Sequence, residues 1–184
     1  GRGCLMRNVV LKMHVSLDGY GRAASGDVMD WIFRTYDDEL SAWEVDLLWQ
    51  AGTHIMGRHL YEEMAVYWPT STEVFAPPMN EIPKVVFSKT MRRADWTQSR
   101  IANGDVEEEV TRLKQESGKA ILAHGGAKFA QSLSGHGLVD EYRLIVHPVA
   151  LGGGLPLFND PRDLKLLSTR SFPAGAVALI YGRI

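Results

Sequence analysis

The sequence predicts a single α/β domain, in which helices flank a mixed, mainly parallel sheet that ends in antiparallel strands. Three observations predict this class. The chain has 184 residues, a length that suits one domain. Its earlier part alternates strand-like and helix-like segments, which is typical of parallel βα units. Its last part carries strand-like segments joined without helices, which favours antiparallel pairing.

The first predicted strand covers residues 9–17, which are rich in Val, Leu and Met and end at the turn pair Asp18-Gly19. A long loop follows, and it contains Gly19, Gly21, Gly26 and the apolar residues Trp31, Ile32 and Phe33. Long loops in compact domains often bind ligands or act as lids, so this segment is a candidate site. The alternative is a surface loop that its aromatic residues hold against the core.

A helix is predicted over residues 37–51, because one helical face collects Leu40, Trp43, Leu47, Leu48 and Ala51. The acidic run that starts at Asp37 suits the N-terminus of this helix, and Gly52 suits the position after its C-terminus. Residues 53–56 then read as a short strand, and residues 59–67 as a second helix that Pro69 closes.

Further elements follow in the same alternating order. Residues 84–87 are predicted as a strand and residues 105–117 as a helix, with Asp105 and Glu108 in capping-box spacing and Gly118 at its end. A strand over residues 119–123 and a short helix over residues 127–133 complete the alternation. The remaining predicted strands are residues 141–149, 164–169 and 176–181.

Composition excludes several classes of function. The net charge is −2, so there is no cationic excess to bind nucleic acid or anionic lipid. No apolar run approaches the roughly 20 residues that span a bilayer. Cys4 is the only cysteine and cannot form an internal disulfide, which favours a cytoplasmic protein. Residues 1–5 precede Met6-Arg7-Asn8, which resembles a natural start, and we treat them as a cloning remnant ahead of one domain over residues 6–184.

Several common catalytic motifs are missing. The glycine clusters at 135–137 and 152–154 lack the third glycine of a dinucleotide-binding fingerprint, and there is no P-loop. His54 and His59 have neither the spacing nor the acidic neighbours of a metal site, so no metal is expected. No G-x-S-x-G motif indicates a serine hydrolase.

Three turns that follow predicted strands carry glycine and polar residues, namely Gly57-Arg58, Ser88-Lys89 and Gly125-Gly126. Ligands of open α/β sheets bind beyond the carboxyl ends of the strands, where helix N-termini can hold phosphates. Two such helix starts together with Arg58 would suit a cofactor that bears a diphosphate. The alternative is that these glycines only make tight turns.

These turns belong to a series of motifs along the chain, namely LKMHVSLDG (11–19), HIMGR (54–58), VVFSK (85–89), HGGA (124–127), VDE (139–141), HPV (147–149) and GGGLPLF (152–158). Taken in order, these motifs resemble the dihydrofolate-reductase-like superfamily, and within it the reductase domain at the C-terminus of the bifunctional riboflavin-biosynthesis deaminase/reductase. The resemblance extends over nearly the whole chain from Val9 onward.

The resemblance implies NADPH as the hydride donor, a small-molecule substrate and a homodimer. It places Arg58 near the adenosine 2′-phosphate and Val15 beside the nicotinamide, and it implies that one peptide bond of the glycine turn is cis. The remaining cofactor-binding residues that it implies are Gly57, His59, Phe87, Ser88, Lys89, His124, Gly125, Gly126, Ala127 and Lys128.

Two departures from the family pattern bear on the substrate. Dihydrofolate reductases carry a substrate-binding carboxylate on the first helix, and the matching position falls near Leu40 and Ser41, neither of which is an acid. The riboflavin reductases have Glu immediately before the glycine turn, where this chain has His124, and we expect no deaminase domain ahead of it. Neither dihydrofolate nor the riboflavin precursor is therefore the expected substrate.

The sequence thus predicts an NADPH-dependent reductase of a small heteroaromatic or unsaturated compound, pteridine-like or pyrimidine-like. Asp18 is a candidate proton donor, and the alternative role for it is an Asx-turn residue that closes the first strand. The rival function is a non-catalytic module that binds a nucleotide or serves as a dimeric scaffold.

Overall fold

A computed structural model describes residues 6–24 and 29–184. Residues 1–5, predicted to be a cloning remnant, and Gly26 of the long loop lie outside these ranges. The strands are β1 (Val9–Ser16), β2 (Tyr20–Ala23), β3 (Ala51–Gly57), β4 (Lys84–Phe87), β5 (Ser99–Ala102), β6 (Ala120–Ala123), β7 (Glu141–His147), β8 (Gly154–Pro156), β9 (Leu164–Ser171) and β10 (Val177–Arg183). The helices are α1 (Asp30–Phe33), α2 (Asp38–Trp49), α3 (Arg58–Tyr67), α4 (Ala76–Glu81), α5 (Val106–Gln115) and α6 (Ala127–Gly135), with a short 3-10 turn over Trp68–Thr70.

Eight strands form one mixed sheet in the order β5-β4-β3-β6-β1-β7-β10-β9, which confirms the predicted fold class. The pairs from β5 to β7 are all parallel, and β10 runs antiparallel to both β7 and β9. β2 and β8 pair separately as a small antiparallel sheet. The carboxyl ends of β1, β3, β4, β6 and β7 therefore lie along one edge of the main sheet.

Helices cover both faces of the sheet. Because successive strand residues point to opposite faces, β1 supplies Leu11 and Met13 to the side of α5 and α6, and Val10 to the side of α2, α3 and α4. Burial of each apolar helix face against the sheet is the main stabilising contribution to such a layered fold. Among the described residues, no helix is long and apolar enough to cross a membrane.

The predicted helix over residues 37–51 is correct at its start and wrong at its end. Asp37 caps α2, since its carboxylate accepts a hydrogen bond from Leu40 N at 2.8 Å. The helix stops at Trp49, and Gly52 lies in β3 rather than at the helix C-terminus. A Cβ at Gly52 would stand 3.0 Å from Lys119 N, so close approach of two chain segments requires this glycine.

Arginines fasten both ends of the described chain to the sheet. Arg7 is buried, and it donates from Nε to Lys119 O at 2.6 Å and from Nη2 to Thr53 Oγ1 at 2.8 Å. Arg183 donates from Nε to Val139 O at 2.9 Å. These side chains satisfy backbone and hydroxyl acceptors at the start of β3 and around the starts of β6 and β7.

The long loop after β1 is partly ordered into β2 and α1. Trp31 and Ile32 are buried, while Phe33 is exposed. The Trp31 ring meets the His147 ring edge-on, with 5.8 Å between centroids. The described part of this segment is thus held against the core by apolar residues, which is the alternative that the sequence left open.

Candidate cofactor and substrate site

Two turns meet at the carboxyl edge of the sheet. Gly57 ends β3 and precedes α3, and Gly125-Gly126 follows β6 and precedes α6. Gly57 N donates a hydrogen bond to Gly125 O at 2.9 Å. The two predicted glycine turns are therefore joined directly, and the two helices start side by side.

The conformation of the second turn explains its glycines. Gly125 has φ +96°, and a Cβ there would stand 2.9 Å from Met13 Sδ on β1. Both the left-handed backbone and the close approach of β1 exclude a larger residue at this position. The peptide bond between Gly125 and Gly126 is cis, as the resemblance implies.

Both helices at this edge begin without a side-chain cap. The residues before α3 and α6 are Gly57 and Gly126, and neither helix start has a side chain that accepts from its first N–H groups. The first N–H groups of a helix lack intrahelical partners, and with the helix dipole they favour a bound anion. A Cβ at Gly126 would meet nothing within 4 Å, so the space over this helix start is open.

Arg58 lies at the start of α3 and reaches the turn after β4. Its guanidinium donates to Glu62 Oε1 at 2.8 Å and to Thr90 Oγ1 at 2.7 Å, and the side chain remains exposed. Ser88 Oγ accepts from Met91 N at 3.1 Å and so fixes the same turn, which also carries Lys89. The structure thus brings Arg58 to the Ser88-Lys89 turn.

Other predicted cofactor residues surround these turns. Phe87 is buried, and its ring packs on Phe129 of α6 with 5.0 Å between centroids. His59 and Lys128 are exposed on the first turns of α3 and α6, and Ala127 is buried under the glycine turn. These positions agree with a ligand that runs from one helix start to the other.

Val15 and Asp18 differ in their surroundings. Val15 is buried at the end of β1, in the core cluster that also contains Ala127. The Asp18 carboxylate accepts from Ser16 Oγ at 2.6 Å, Gly152 N at 2.8 Å and Leu151 N at 3.0 Å. These hydrogen bonds, that of Ser16 first, lower the pKa of Asp18 to about 2. Asp18 is therefore an ionised acceptor that holds the glycine loop 151–152 through contacts distant in the chain, which are not those of the predicted Asx turn. Its role as a proton donor stays a prediction.

A buried polar cluster on the α2 side of the sheet was not predicted. His14 on β1 lies between two partners: its Nε2 is 2.7 Å from Glu44 Oε1, and its Nδ1 is 2.8 Å from His147 Nε2. The Tyr36 hydroxyl donates to the other oxygen of Glu44. Thr35 Oγ1 lies 2.6 Å from His147 Nδ1. The segment after α1 is thereby tied to β1, β7 and α2.

The charges of this cluster follow from its contacts. Burial raises the pKa of Glu44, but Lys12, His14 and the Tyr36 hydrogen bond outweigh that effect and bring it to about 2. Burial is also the main cause that lowers the pKa of His147 to about 4. Burial and the neighbouring Glu44 carboxylate raise the pKa of Tyr36. At neutral pH the cluster therefore contains an ionised Glu44, a neutral His147 and a neutral Tyr36.

A second histidine pair lies on the same face of the sheet. His124 Nε2 is 2.8 Å from His54 Nδ1, and His54 Nε2 is 3.0 Å from Pro78 O. Burial lowers the pKa of His54 to about 4, and it also lowers the pKa of His124 well below its ordinary value. Lys12 lies near both rings, and its positive charge contributes to lowering the pKa of each. In the described ranges no three His, Cys, Asp or Glu side chains converge as metal ligands.

Two signals in the sequence could have indicated these residues. Glu44 lies four positions after Leu40 and three before Leu47, so it is a charged residue on the apolar face of α2. Lys12, His14 and Ser16 alternate with apolar residues in β1 and so share one face of a central strand. The expectation that this helix lacks an acid near Leu40 and Ser41 therefore needs correction, because Glu44 lies one turn further on.

Comparison with known proteins identifies the family. The profile of the RibD C-terminal domain matches residues 7–178. The Bacillus subtilis protein YyaP is 35% identical over 184 aligned residues, which cover 95% of this chain and 94% of YyaP. YwjB from the same organism is 32% identical, and the alignment covers 96% of this chain and 98% of YwjB.

Solved structures share the fold. A putative riboflavin biosynthesis protein from Shewanella sp. PV-4 superposes with TM-score 0.78 at 20% identity, over 96% of this chain and 99% of that one. The deaminase/reductase of Thermotoga maritima gives TM-score 0.69 at 17% identity, over 97% of this chain and 57% of the longer one. A pyrimidine reductase-like protein from Corynebacterium diphtheriae gives 0.63 at 15% identity, over 97% and 92%. This chain belongs to the RibD C-terminal domain family and has its dihydrofolate-reductase-like fold.

Proposed function

We propose that the protein is an NADPH-dependent reductase that transfers a hydride to a small, unsaturated heterocycle of the pteridine or pyrimidine type. One observation carries this proposal. The uncapped starts of α3 and α6 lie side by side at the carboxyl edge of the sheet, and the hydrogen bond from Gly57 N to Gly125 O joins them. Membership of a family of reductase-type domains supports it.

The residues at this edge fit a dinucleotide. The uncapped N–H groups of α3 and α6 would take phosphate oxygens, and Arg58 would take the phosphate on the adenosine ribose. Ser88 and Lys89 lie beside Arg58 at the same turn. Val15 and the glycine turn would border the nicotinamide, which supplies the hydride when the cofactor is bound.

The α2 side of β1 offers polar groups for the substrate. Glu44 is an ionised carboxylate; its Oε1 lies 2.7 Å from His14 Nε2, and its other oxygen accepts from the Tyr36 hydroxyl. His14 and Tyr36 thus fix the position of the carboxylate. An ionised carboxylate only accepts hydrogen bonds, so at this place it would suit a ligand with an N–H group. The names of two structural relatives, a uracil reductase and a pyrimidine reductase-like protein, support a substrate of this class.

Binding and turnover can be tested separately. NADPH binding is measured by quenching of its fluorescence, and turnover by loss of absorbance at about 340 nm with a panel of pteridines, pyrimidines, flavins and quinones. We expect saturable binding of NADPH and oxidation with at least one heterocycle of the panel. Binding without turnover against any compound would support the rival, a non-catalytic nucleotide-binding module, and absence of binding would contradict the proposal.

We also propose that the protein forms a homodimer through its antiparallel edge. β9 is the terminal strand of the sheet, and it exposes Leu166 and Leu167 to 51% and 53%. An unpaired edge strand that exposes two leucine side chains is a surface that proteins usually cover. Sedimentation at micromolar concentration should give about twice the 20.5 kDa chain mass. Leu167→Lys should shift the distribution to the monomer, and a wild-type monomer would contradict the proposal.

A further inference from the structure

The hydrogen bonds of the His54 and His124 pair determine where its protons lie. A carbonyl oxygen only accepts, so the contact with Pro78 O requires a proton on His54 Nε2. Burial keeps His54 neutral, and its Nδ1 is then a bare acceptor. The 2.8 Å contact with His124 Nε2 therefore requires a proton on that nitrogen. One backbone carbonyl thus fixes the tautomers of both rings.

These tautomers determine the state of the other ring nitrogen of His124, Nδ1. The ring is neutral and carries its proton on Nε2, so Nδ1 is a bare acceptor. This atom is buried and has no hydrogen-bond partner among the described residues, and His124 is only 6% exposed. Leaving a buried acceptor unpaired costs free energy, so such an atom in a native structure calls for a partner such as a water or a ligand.

The surroundings of this nitrogen belong to the proposed site. His124 directly precedes Gly125. In the parallel pairing of β1 with β6, Leu11 lies opposite Ala123, so the next residues along the two segments, Lys12 and His124, also lie side by side. Lys12 is half-buried and makes no hydrogen bond or ion pair within residues 6–24 and 29–184, so it can move without breaking one. The Glu44 carboxylate lies 2.7 Å from Nε2 of His14, which is two residues further along β1.

We propose that His124 Nδ1, held unprotonated by the Pro78–His54 relay, accepts a hydrogen bond from an N–H group of the substrate and so determines substrate specificity. The site then selects heterocycles that carry an amino or lactam N–H at the edge facing the glycine turn. This inference rests on the proposed function for the identity of the ligand, whereas the tautomers of His54 and His124 do not depend on it.

Nuclear magnetic resonance of protein labelled with ¹⁵N in its histidine rings tests the relay directly. Long-range ¹H–¹⁵N correlations should show His54 and His124 protonated at Nε2 and unprotonated at Nδ1. Addition of 2,4-diaminopyrimidine should shift the His124 Nδ1 resonance, and unsubstituted pyrimidine, which lacks N–H groups, should not. A protonated Nδ1, or equal shifts with both probes, would overturn the proposal.

Two variants separate the acceptor from the structural hydrogen bond. His124→Asn keeps an acceptor near the position of Nδ1 and loses the contact with His54, whereas His124→Gln keeps a donor toward His54 and loses the acceptor. We expect His124→Gln to weaken binding of 2,4-diaminopyrimidine by about 3- to 10-fold and His124→Asn to leave it within about twofold. Equal losses in the two variants would indicate a purely structural residue and overturn the proposal.

The same samples distinguish failure of this inference from failure of the proposed function. NADPH binding to the wild-type protein is measured in parallel. If NADPH binds and diaminopyrimidine fails to shift His124 Nδ1, the specificity role is wrong and the cofactor site stands. If NADPH does not bind while the probe shifts Nδ1 as expected, the acceptor role stands and the reductase function is wrong.

Discussion

Four helices of this protein have eight or more residues, within the ranges that the structure describes, and they begin in two different ways. Aspartate precedes α2 and α5, and its carboxylate accepts hydrogen bonds from the first N–H groups of each helix. Glycine precedes α3 and α6, and no side chain caps either one. The helices α3, α5 and α6 all start near the carboxyl edge of the same sheet.

Under the proposed function, this difference separates helices that are capped for stability from helices that bind the cofactor. α5 follows β5 at the margin of the sheet, where an internal cap completes the helix. α3 and α6 follow the neighbouring strands β3 and β6 near the centre, where their N–H groups remain available. An internal cap and a bound anion satisfy the same donors, so a helix start serves one purpose or the other.

The largest effect on cofactor binding is expected when α6 receives an acidic cap like those of α2 and α5. Gly126→Asp introduces a carboxylate where the cofactor phosphates are proposed to bind, into space that holds no other atom within 4 Å of the new Cβ. We expect NADPH affinity to fall about 100- to 1,000-fold, since opposed like charges cost several kcal/mol. Isothermal titration with NADPH measures this loss.

Gly126→Asn is the matched control for this prediction, because it adds a side chain of the same size without charge. Its loss of affinity should be distinctly smaller. Stability of the unliganded protein should rise slightly or stay constant in both variants, because Asp and Asn cap a helix somewhat better than Gly. Equal losses of affinity would show that volume rather than charge is responsible.

A substitution at Arg58 tests the contrast between the capped and the uncapped helix starts. Arg58→Ala removes the guanidinium at the start of α3, and we expect NADPH binding to weaken about 10- to 150-fold with NADH affinity nearly unchanged. Arg112→Ala is the control on α5, because that exposed arginine also pairs with a glutamate of its own helix, at 3.1 Å. Titration of both variants with NADPH and with NADH measures whether the loss is specific to Arg58 and to NADPH. An equal loss for NADPH and NADH would place Arg58 at the shared diphosphate.

The stability contributed by the cap of α2 should depend on acid rather than on the cofactor. Hydrogen bonds from Leu40 N and then Ala174 N lower the pKa of Asp37 below 3.8. The folded state therefore binds the proton more weakly than the unfolded state, so this contribution to stability is present above about pH 4 and lost as pH falls through the folded pKa. Urea unfolding should show wild type more stable than Asp37→Asn at pH 7, with the difference shrinking in acid. A difference that grows in acid would contradict this assignment.

The smallest effect is expected at α5. Asp105→Ala removes acceptors for Glu107 N and Glu108 N and should lower the free energy of unfolding by about 1 kcal/mol. NADPH affinity should not change, because this helix is complete without a ligand. A measurable loss of NADPH binding in this variant would mean that the cofactor extends to the margin of the sheet.

Local rules made much of the fold predictable from the sequence. Asp37 and Asp105 mark helix starts because a cap is a contact between near neighbours in the chain. Five described elements were not predicted, namely α1, α4, β2, β5 and β8, and for two of them the reason is equally local. Pro77 and Pro78 at the start of α4 obscure its helical pattern, and β5 is a short strand at the sheet margin with Ser99 and Arg100 among its residues.

The site was predictable only in part. The turns at Gly57 and Gly125 could be found because each follows a strand directly. A glycine at such a place indicates that the backbone turns tightly or that another segment lies close to it. The cluster around Glu44 could not be assembled in the same way. His14 and His147 are separated by 133 positions in the chain and meet only because β1 pairs with β7. The parallel register that brings them together is a property of the whole sheet.

The contacts of Arg7 and Arg183 also have a consequence for how far the chain can be shortened. Shortening the chain to begin at Asn8 would leave Lys119 O and Thr53 Oγ1 without their donor. Ending it at residue 178, where the family profile stops, would remove both the Arg183 contact with Val139 O and most of β10, which joins β7 to β9. A minimal autonomous domain should therefore extend from Arg7 to Arg183, five residues beyond the homology boundary at its C-terminus.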